Sequence, residues 1–205
     1  MDAAAIKTPN ELAQDTELAR IVRVNEEIKA IVTTAFKINL MALNAIFLAK
    51  RAGEAARGFG VLSNELRRFA QDLTREMTTL REMTANTVST VTGVVQHKRL
   101  NSILDRAIEL SPESGNGKAL VQRRRGKELH ERQSMLRDLD RRLRRSLEDT
   151  AQLVELGGVL ARSAKIEAAY GGNFSASLMQ VSSDFGDVIT LIKQSLDRLG
   201  RLRLS

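Results

Sequence analysis

The sequence predicts an all-α fold, an elongated antiparallel four-helix coiled-coil bundle built from two tandem helical hairpins. Three observations lead there. Apolar and small residues recur in alternating steps of three and four along most of the 205 residues. Only two prolines occur, and the strong turn signals fall in three short stretches. Aromatics make up 3% of the chain and Trp is absent, so the core must come from Leu, Ile, Val, Ala and Met, as in long bundles.

The first helix is expected over about 10–52. Thr8-Pro9-Asn10-Glu11 reads as a capping box, with Pro9 suited to the first helical position and Glu11 able to reach back to the cap. Ile21, Val24, Ile28, Ile31, Ala35, Ile38, Ala42, Ala45, Ala49 and Ala52 then mark an unbroken a/d seam. At about 1.5 Å per residue this helix spans roughly 65 Å. A turn over 53–58 follows. The second helix, about 59–109, carries its seam on Leu62, Leu66, Phe69, Leu73, Leu80, Thr87, Val91 and Val94.

Ser111-Pro112-Glu113-Ser114-Gly115-Asn116-Gly117 is the one linker-like stretch. The third helix, about 118–170, is expected to bury Leu136, Leu139, Leu143, Leu153, Leu160 and Ala164. Gly157-Gly158 weakens it locally by about 1 kcal/mol each relative to Ala. A second turn falls at Gly171-Gly172-Asn173. The fourth helix, about 175–203, places Leu178, Val181, Phe185, Val188, Ile192 and Leu199 on one stripe. The domain reading is a first hairpin over 1–110, a linker over 111–117 and a second hairpin over 118–205 with its tip near 171–174.

The halves echo each other at an offset of 119 residues, which is 17 heptads. Ala42, Ala45, Ala49 and Gly53 fall on Ala161, Ala164, Ala168 and Gly172. Ser63, Leu66, Leu73 and Leu80 fall on Ser182, Phe185, Ile192 and Leu199. Coiled-coil periodicity alone aligns apolar positions. It does not also align a turn glycine and a serine, so an internal duplication is the expectation.

Composition narrows the chemistry. No cysteine means no disulfide, thiolate nucleophile or sulfur metal site. His97 and His130 lack the neighbours of a di-iron or zinc site, so no metal and no cofactor is expected. No Ser/His/Asp arrangement stands out, and Gly53–Gly60 lacks phosphate-loop spacing. The chain reads as a non-enzyme. Met1-Asp2-Ala3-Ala4-Ala5 lacks the flank of a signal peptide, and no unbroken run of about 18 apolar residues occurs. No membrane-crossing helix is therefore expected, and the location expected is cytoplasmic.

Residues 39–67 carry the most specific pattern. Asn39-Leu40-Met41-Ala42-Leu43-Asn44-Ala45 is followed by Arg51-Ala52-Gly53-Glu54, then Arg57-Gly58-Phe59, Glu65 and Arg67. This stretch resembles the hairpin tip of the cytoplasmic signalling domain of bacterial methyl-accepting chemotaxis proteins. The resemblance implies a signal-transduction or adaptor module that works by protein–protein contact. Its implied partners are a chemotaxis-type histidine kinase and its coupling protein, docking near the tip. Asn39, Asn44, Arg51, Glu54, Arg57 and Glu65 are the implied contact residues of the first hairpin, and Glu167 that of the second.

Two departures bear on that reading. Phe47-Leu48 stands where the family has Ile-Glu, and the missing acid belongs there to contacts between receptor dimers. The second half restores Ile166-Glu167-Ala168-Ala169 but loses the charged turn residues at Tyr170, Asn173, Ala176 and Ser177. Family receptors are homodimers of hairpins. Two hairpins in one chain imply a monomer imitating such a dimer, with a homodimer of open hairpins as the alternative. Glu26-Glu27 resembles receptor methylation sites but lies too near the tip, so a solvated helix surface is the reading.

A second function class rests on charge. Residues 118–145 hold eleven cations and four acids, a net +7 equal to the formal charge of the whole chain. Arg123, Arg124, Arg125, Lys127, Arg141, Arg142, Arg144 and Arg145 are candidates for binding an acidic protein, nucleic acid or membrane surface. Aromatic stacking residues are absent from this arm, which argues against single-strand recognition. A purely structural coiled-coil element is the third class.

Overall fold

The computed structural model describes residues 9–109 and 115–202. The described residues form four helices and no strand: α1 (Pro9–Ala52), α2 (Arg57–Glu109), α3 (Gly115–Ala169) and α4 (Ser175–Arg201). A 3-10 turn, Gly53–Ala56, joins α1 to α2, and another, Gly172–Phe174, precedes α4. The expected boundaries agree within three residues, because each turn is set by a glycine that interrupts an otherwise continuous seam. The expected cap at Thr8 and linker residues 111–114 lie outside the described residues, as do the side chains of Val91, Val94 and His97. Gly115–Gly117, expected in the linker, is helical.

The chain divides into two compact units. One comprises residues 1–81 and 145–205, and the other residues 82–144. The first unit is an antiparallel four-helix bundle. Glu27 of α1 meets Arg198 of α4 at 2.8 Å. Glu155 of α3 meets Lys193 of α4. The Phe69 ring of α2 lies on Gly157 of α3, and Gly60 of α2 faces Ala49 of α1. Each helix therefore touches both neighbours around the ring.

The core follows the seam. Val24, Ile28, Ile31, Ala35, Ile38, Ala42, Ala45 and Ala49 are buried on α1, and Leu66, Phe69, Leu73, Met77 and Leu80 on α2. Leu178, Phe185, Ile189, Ile192, Leu196 and Leu199 close the core from α4. Burying each large aliphatic or aromatic side chain favours folding by about 1.5–3 kcal/mol. Ile21, Ala52, Leu62, Val181 and Val188, expected on the seams, are half-buried at its margins.

α3 departs from expectation. Its buried line is Ser146, Thr150, Val154, Gly157, Ala161, Ala164 and Ala168, whereas Leu153 and Leu160 are half-buried beside it. The reason is volume. The Phe69 ring already fills the layer opposite Gly157: a Cβ there would lie 2.6 Å from the ring. A side chain is therefore excluded at Gly157, and Leu153 and Leu160 lie to the sides of the buried line.

Pairs at the 119-residue offset share environments. Phe59 and Leu178 are fully buried, as are Leu66 and Phe185, and Leu73 and Ile192. Ser63 donates to the Phe59 carbonyl at 2.8 Å and Ser182 to the Leu178 carbonyl at 2.9 Å. Each hydroxyl satisfies itself within its own helix, so neither leaves a stranded donor in the core.

The second unit contains the end of α2 and the start of α3. Thr84 and Thr87 are buried in it, and Thr87 donates to the Met83 carbonyl at 2.9 Å. Arg144 pairs with Asp140 at 2.8 Å, Arg141 with Asp138, and Lys127 with Glu131 at 4.0 Å. Part of the basic arm is thus neutralised along its own helix. Leu100, Ile103 and Met135 are exposed.

One hydropathy result modifies the sequence reading. Within Ala19–Thr87, an 18-residue window reaches a mean hydropathy of 1.6 with at most two charged residues. That stretch is apolar enough to cross a membrane by length and composition, although no unbroken apolar run is present. Only 28% of the window is buried in the fold.

Candidate functional site at the paired helix turns

The site is built on two glycines. Gly53 (φ 71°) and Gly172 (φ 55°) are the positive-φ residues of the described chain. Each takes a left-handed conformation that costs an L-residue with a side chain about 1–2 kcal/mol. The turns lie side by side: a Cβ on Gly172 would be 4.0 Å from Cβ of Ala55. Ala56, the last residue of the first turn, and Phe59, in the first turn of α2, are buried and anchor it to the core.

Three of the expected contact residues gather at the first turn. Arg51 is exposed, and the Arg57 and Glu54 side chains are 78% and 89% exposed and 3.5 Å apart. Such an exposed pair contributes only about 0–1 kcal/mol, so both groups are available to a partner. The other three lie away from the turn. Asn39 is 14 residues before Gly53, about 20 Å along α1. It is half-buried, and its Oδ1 is buried without a hydrogen-bond partner. Asn44 is exposed. Glu65 accepts from Arg68 at 2.8 Å, and the neighbouring Arg67 has a buried, unpartnered Nε.

Glu167 is not an independent mark of the second tip. Its carboxylate occupies the space beside Gly58 where a Cβ would sit, with Cδ 2.6 Å from that position. The acid of one hairpin is therefore seated against the first turn of α2 in the other. The equivalent pair at the offset is Leu48 and Ser177, so the two junctions differ chemically. Glu27, read as a solvated surface residue, is half-buried and tied to Arg198, whereas Glu26 is exposed as expected.

Sequence reasoning missed two features. Phe36, Leu40 and Phe47 of α1 are 59%, 46% and 65% exposed. Their positions, off the seam and about one or two turns apart, were the available signal. The second is a groove of about 390 Å³ between α3 and α4, floored by Gly158, Ala161 and Gly186 and flanked by Arg162, Lys165 and Asp187. Gly158 and Gly186 stand at the offset positions of Asn39 and Arg67, so the second hairpin lacks the side chains that occupy those places in the first.

The Lys193 ammonium beside this groove donates to Glu155 and holds that carboxyl below its ordinary value, while the Lys193 pKa is raised in return. A depressed carboxyl stabilises the fold above its ordinary value, and that contribution disappears as pH falls through the folded one. The Lys193 contribution is complete below the ordinary amine value and is lost as pH rises through the folded one. Both groups are exposed, so the effect is small and salt-screened. Glu155→Gln is expected to flatten the acid limb of a melting-temperature-versus-pH curve slightly at low salt. An unchanged limb would show that the pair does not persist in solution. No cluster of three or more His, Cys, Asp or Glu that could hold a metal occurs among the described residues.

The described helices form an antiparallel bundle whose α1–α2 reversal presents the exposed charged side chains of Arg51, Glu54 and Arg57. The methyl-accepting chemotaxis protein signalling domain model matches residues 3–110. The chain belongs to that family. It is 36% identical over 92 residues, 44% of its length, to the methyl-accepting chemotaxis citrate transducer of Salmonella typhimurium, covering 16% of that protein. It is 30% identical over 118 residues, 54% of its length, to a biofilm dispersion protein of Pseudomonas aeruginosa, covering 28% of it. It is 27% identical over 192 residues, 92% of its length, to the methyl-accepting chemotaxis protein CtpH of Pseudomonas aeruginosa, covering 31% of it. The chain thus spans less than a third of each of these relatives. No solved structure matches it.

Proposed function

We propose that this chain is a cytoplasmic, non-enzymatic chemoreceptor-type signalling or adaptor module that docks a histidine kinase and its coupling protein at the α1–α2 turn. The observation that carries this is the exposed Arg51, Glu54 and Arg57 set on a glycine-fixed turn inside the segment matched by the family model. Two hairpins in one chain supply the four helices that the family assembles from two subunits, so the working form is a monomer produced by duplication. The positive-φ glycines and the Ser63 and Ser182 bonds 119 residues apart support that reading. Leu48 in place of an acid argues against ordinary receptor clustering.

Arg57→Glu tests the site. It reverses an exposed charge that has one weak partner, so the helical fold is expected to survive. Capture of a chemotaxis kinase and coupling protein is expected to drop at least about tenfold, in line with the loss of a contact worth over 1.4 kcal/mol. Undiminished capture would remove the tip assignment.

A second reading assigns anion binding to the arm 118–145. Arg142 and Arg145 are exposed in support of it. The intrahelical partners of Arg141 and Arg144 weaken it. Side-chain surroundings of Arg123, Arg124 and Arg125 lie outside the described residues.

A further inference from the structure

The groove between α3 and α4 is not used by the tip reading. Its volume of about 390 Å³ falls in the range of small-ligand sites, and it lies wholly within the four-helix unit. Its floor includes Val154, Ala161 and Ile189, all buried. Two glycines open it, Gly158 and Gly186, at the offset positions of Asn39 and Arg67. A Cβ on Gly186 would meet nothing within 4 Å, so no neighbouring side chain takes the place that an arginine holds in the first hairpin. A Cβ on Gly158 would lie 3.6 Å from Nη1 of Arg162, so that guanidinium lies over the floor.

The rim carries charge of both signs on opposite walls. Arg162 and Lys165 line it from α3, and Asp187 from α4. All three are exposed, and none has an ion-pair partner among the described residues. Lys193 and Glu155, also in the lining, satisfy each other. This wall does not repeat the outer face of α1: Glu155 and Arg162 stand at the offset positions of Phe36 and Leu43.

We infer that this groove binds a small zwitterion, with its acid group toward Arg162 and Lys165 and its amine toward Asp187. Charge-assisted hydrogen bonds from a guanidinium and an ammonium suit a carboxylate, and a carboxylate on the facing wall accepts from an amine. A dianion would set its second charge against Asp187. A diamine would set one of its charges against Arg162 and Lys165. The apolar floor holds the short hydrocarbon chain between the two ends. The assignment stands apart from the α1–α2 turn and from any partner docked there.

Titration calorimetry of the full chain with β-alanine, γ-aminobutyrate and ε-aminocaproate tests this, with the acids and amines of matching chain length as single-charge controls. At least one zwitterion is expected to bind saturably at millimolar concentration, at least about tenfold tighter than its two controls. Arg162→Gln with Lys165→Gln should weaken that binding at least about tenfold. Asp187→Asn should erase the preference for the zwitterion over the matching acid, a change that a merely structural role would not produce. Gly186→Arg restores the residue of the first hairpin and should block the groove. The charge variants alter exposed side chains only, so their circular dichroism is expected to match wild type. Three results would overturn the inference. One is no saturable binding of any of the three zwitterions. Another is equal binding of the matching acid, or a preference that survives Asp187→Asn, either of which would make the groove a plain anion site. The third is unchanged affinity in both the Arg162/Lys165 double variant and Gly186→Arg, which would place the ligand elsewhere.

Discussion

Phe185→Ala is expected to lower stability by about 3–5 kcal/mol, as large an effect as any single truncation in the described core. The ring is fully buried on α4, where it and its offset partner Leu66 both sit in the core of the four-helix unit. Truncation removes apolar area and leaves a cavity that neighbouring helices cannot close, because their seams are fixed by the layers above and below. The control lies in the same molecule. Phe47→Ala removes the same ring from a side chain 65% exposed, and should change stability by no more than about 0.5 kcal/mol. Thermal or urea unfolding followed by circular dichroism at 222 nm compares the two. Similar losses for both would mean that α4 does not seat Phe185 in a shared core.

The second large effect is expected from Gly157→Ala, at about 1–3 kcal/mol. A helical Gly→Ala change ordinarily favours the helix by up to about 1 kcal/mol, so the two readings differ in sign. Here the new methyl would lie 2.6 Å from Cζ and 2.8 Å from Cε2 of Phe69. The ring must move, and it is itself 3% exposed in the core. Gly186→Ala, with nothing within 4 Å of the built Cβ, should be neutral or stabilising. Combining Gly157→Ala with Phe69→Leu should cost less than the sum of the single changes, because the shorter side chain vacates the methyl's place. Strict additivity in that cycle would dissociate α2 and α3 at this layer.

These predictions draw on unequal shares of sequence and structure. The seam of α1 was legible residue by residue, because a long helix with one buried face repeats the same signal every heptad. The two turns were legible because glycine is the one residue that enters the left-handed region without a steric cost. At the candidate site, Arg51, Glu54 and Arg57 could be named from their resemblance and lie together, since all three fall within one turn of a fixed reversal. Asn39 and Glu65 could be named equally well but lie far along their helices. Linear proximity to the motif does not set spatial proximity to the turn.

What the order of residues determined by itself is local and periodic: the four helices, their ends, the positive-φ glycines and the 119-residue echo. These depend on backbone preferences and on spacing within one helix. The tertiary structure alone decided which residues meet across helices. It set Gly157 of α3 against the Phe69 ring and left Leu153 and Leu160 half-buried beside the buried line. It seated Glu167 against Gly58, coupled Glu27 to Arg198, and left Phe36, Leu40 and Phe47 uncovered. Each outcome depends on volume and charge supplied by another segment, and no periodicity within a single helix encodes that.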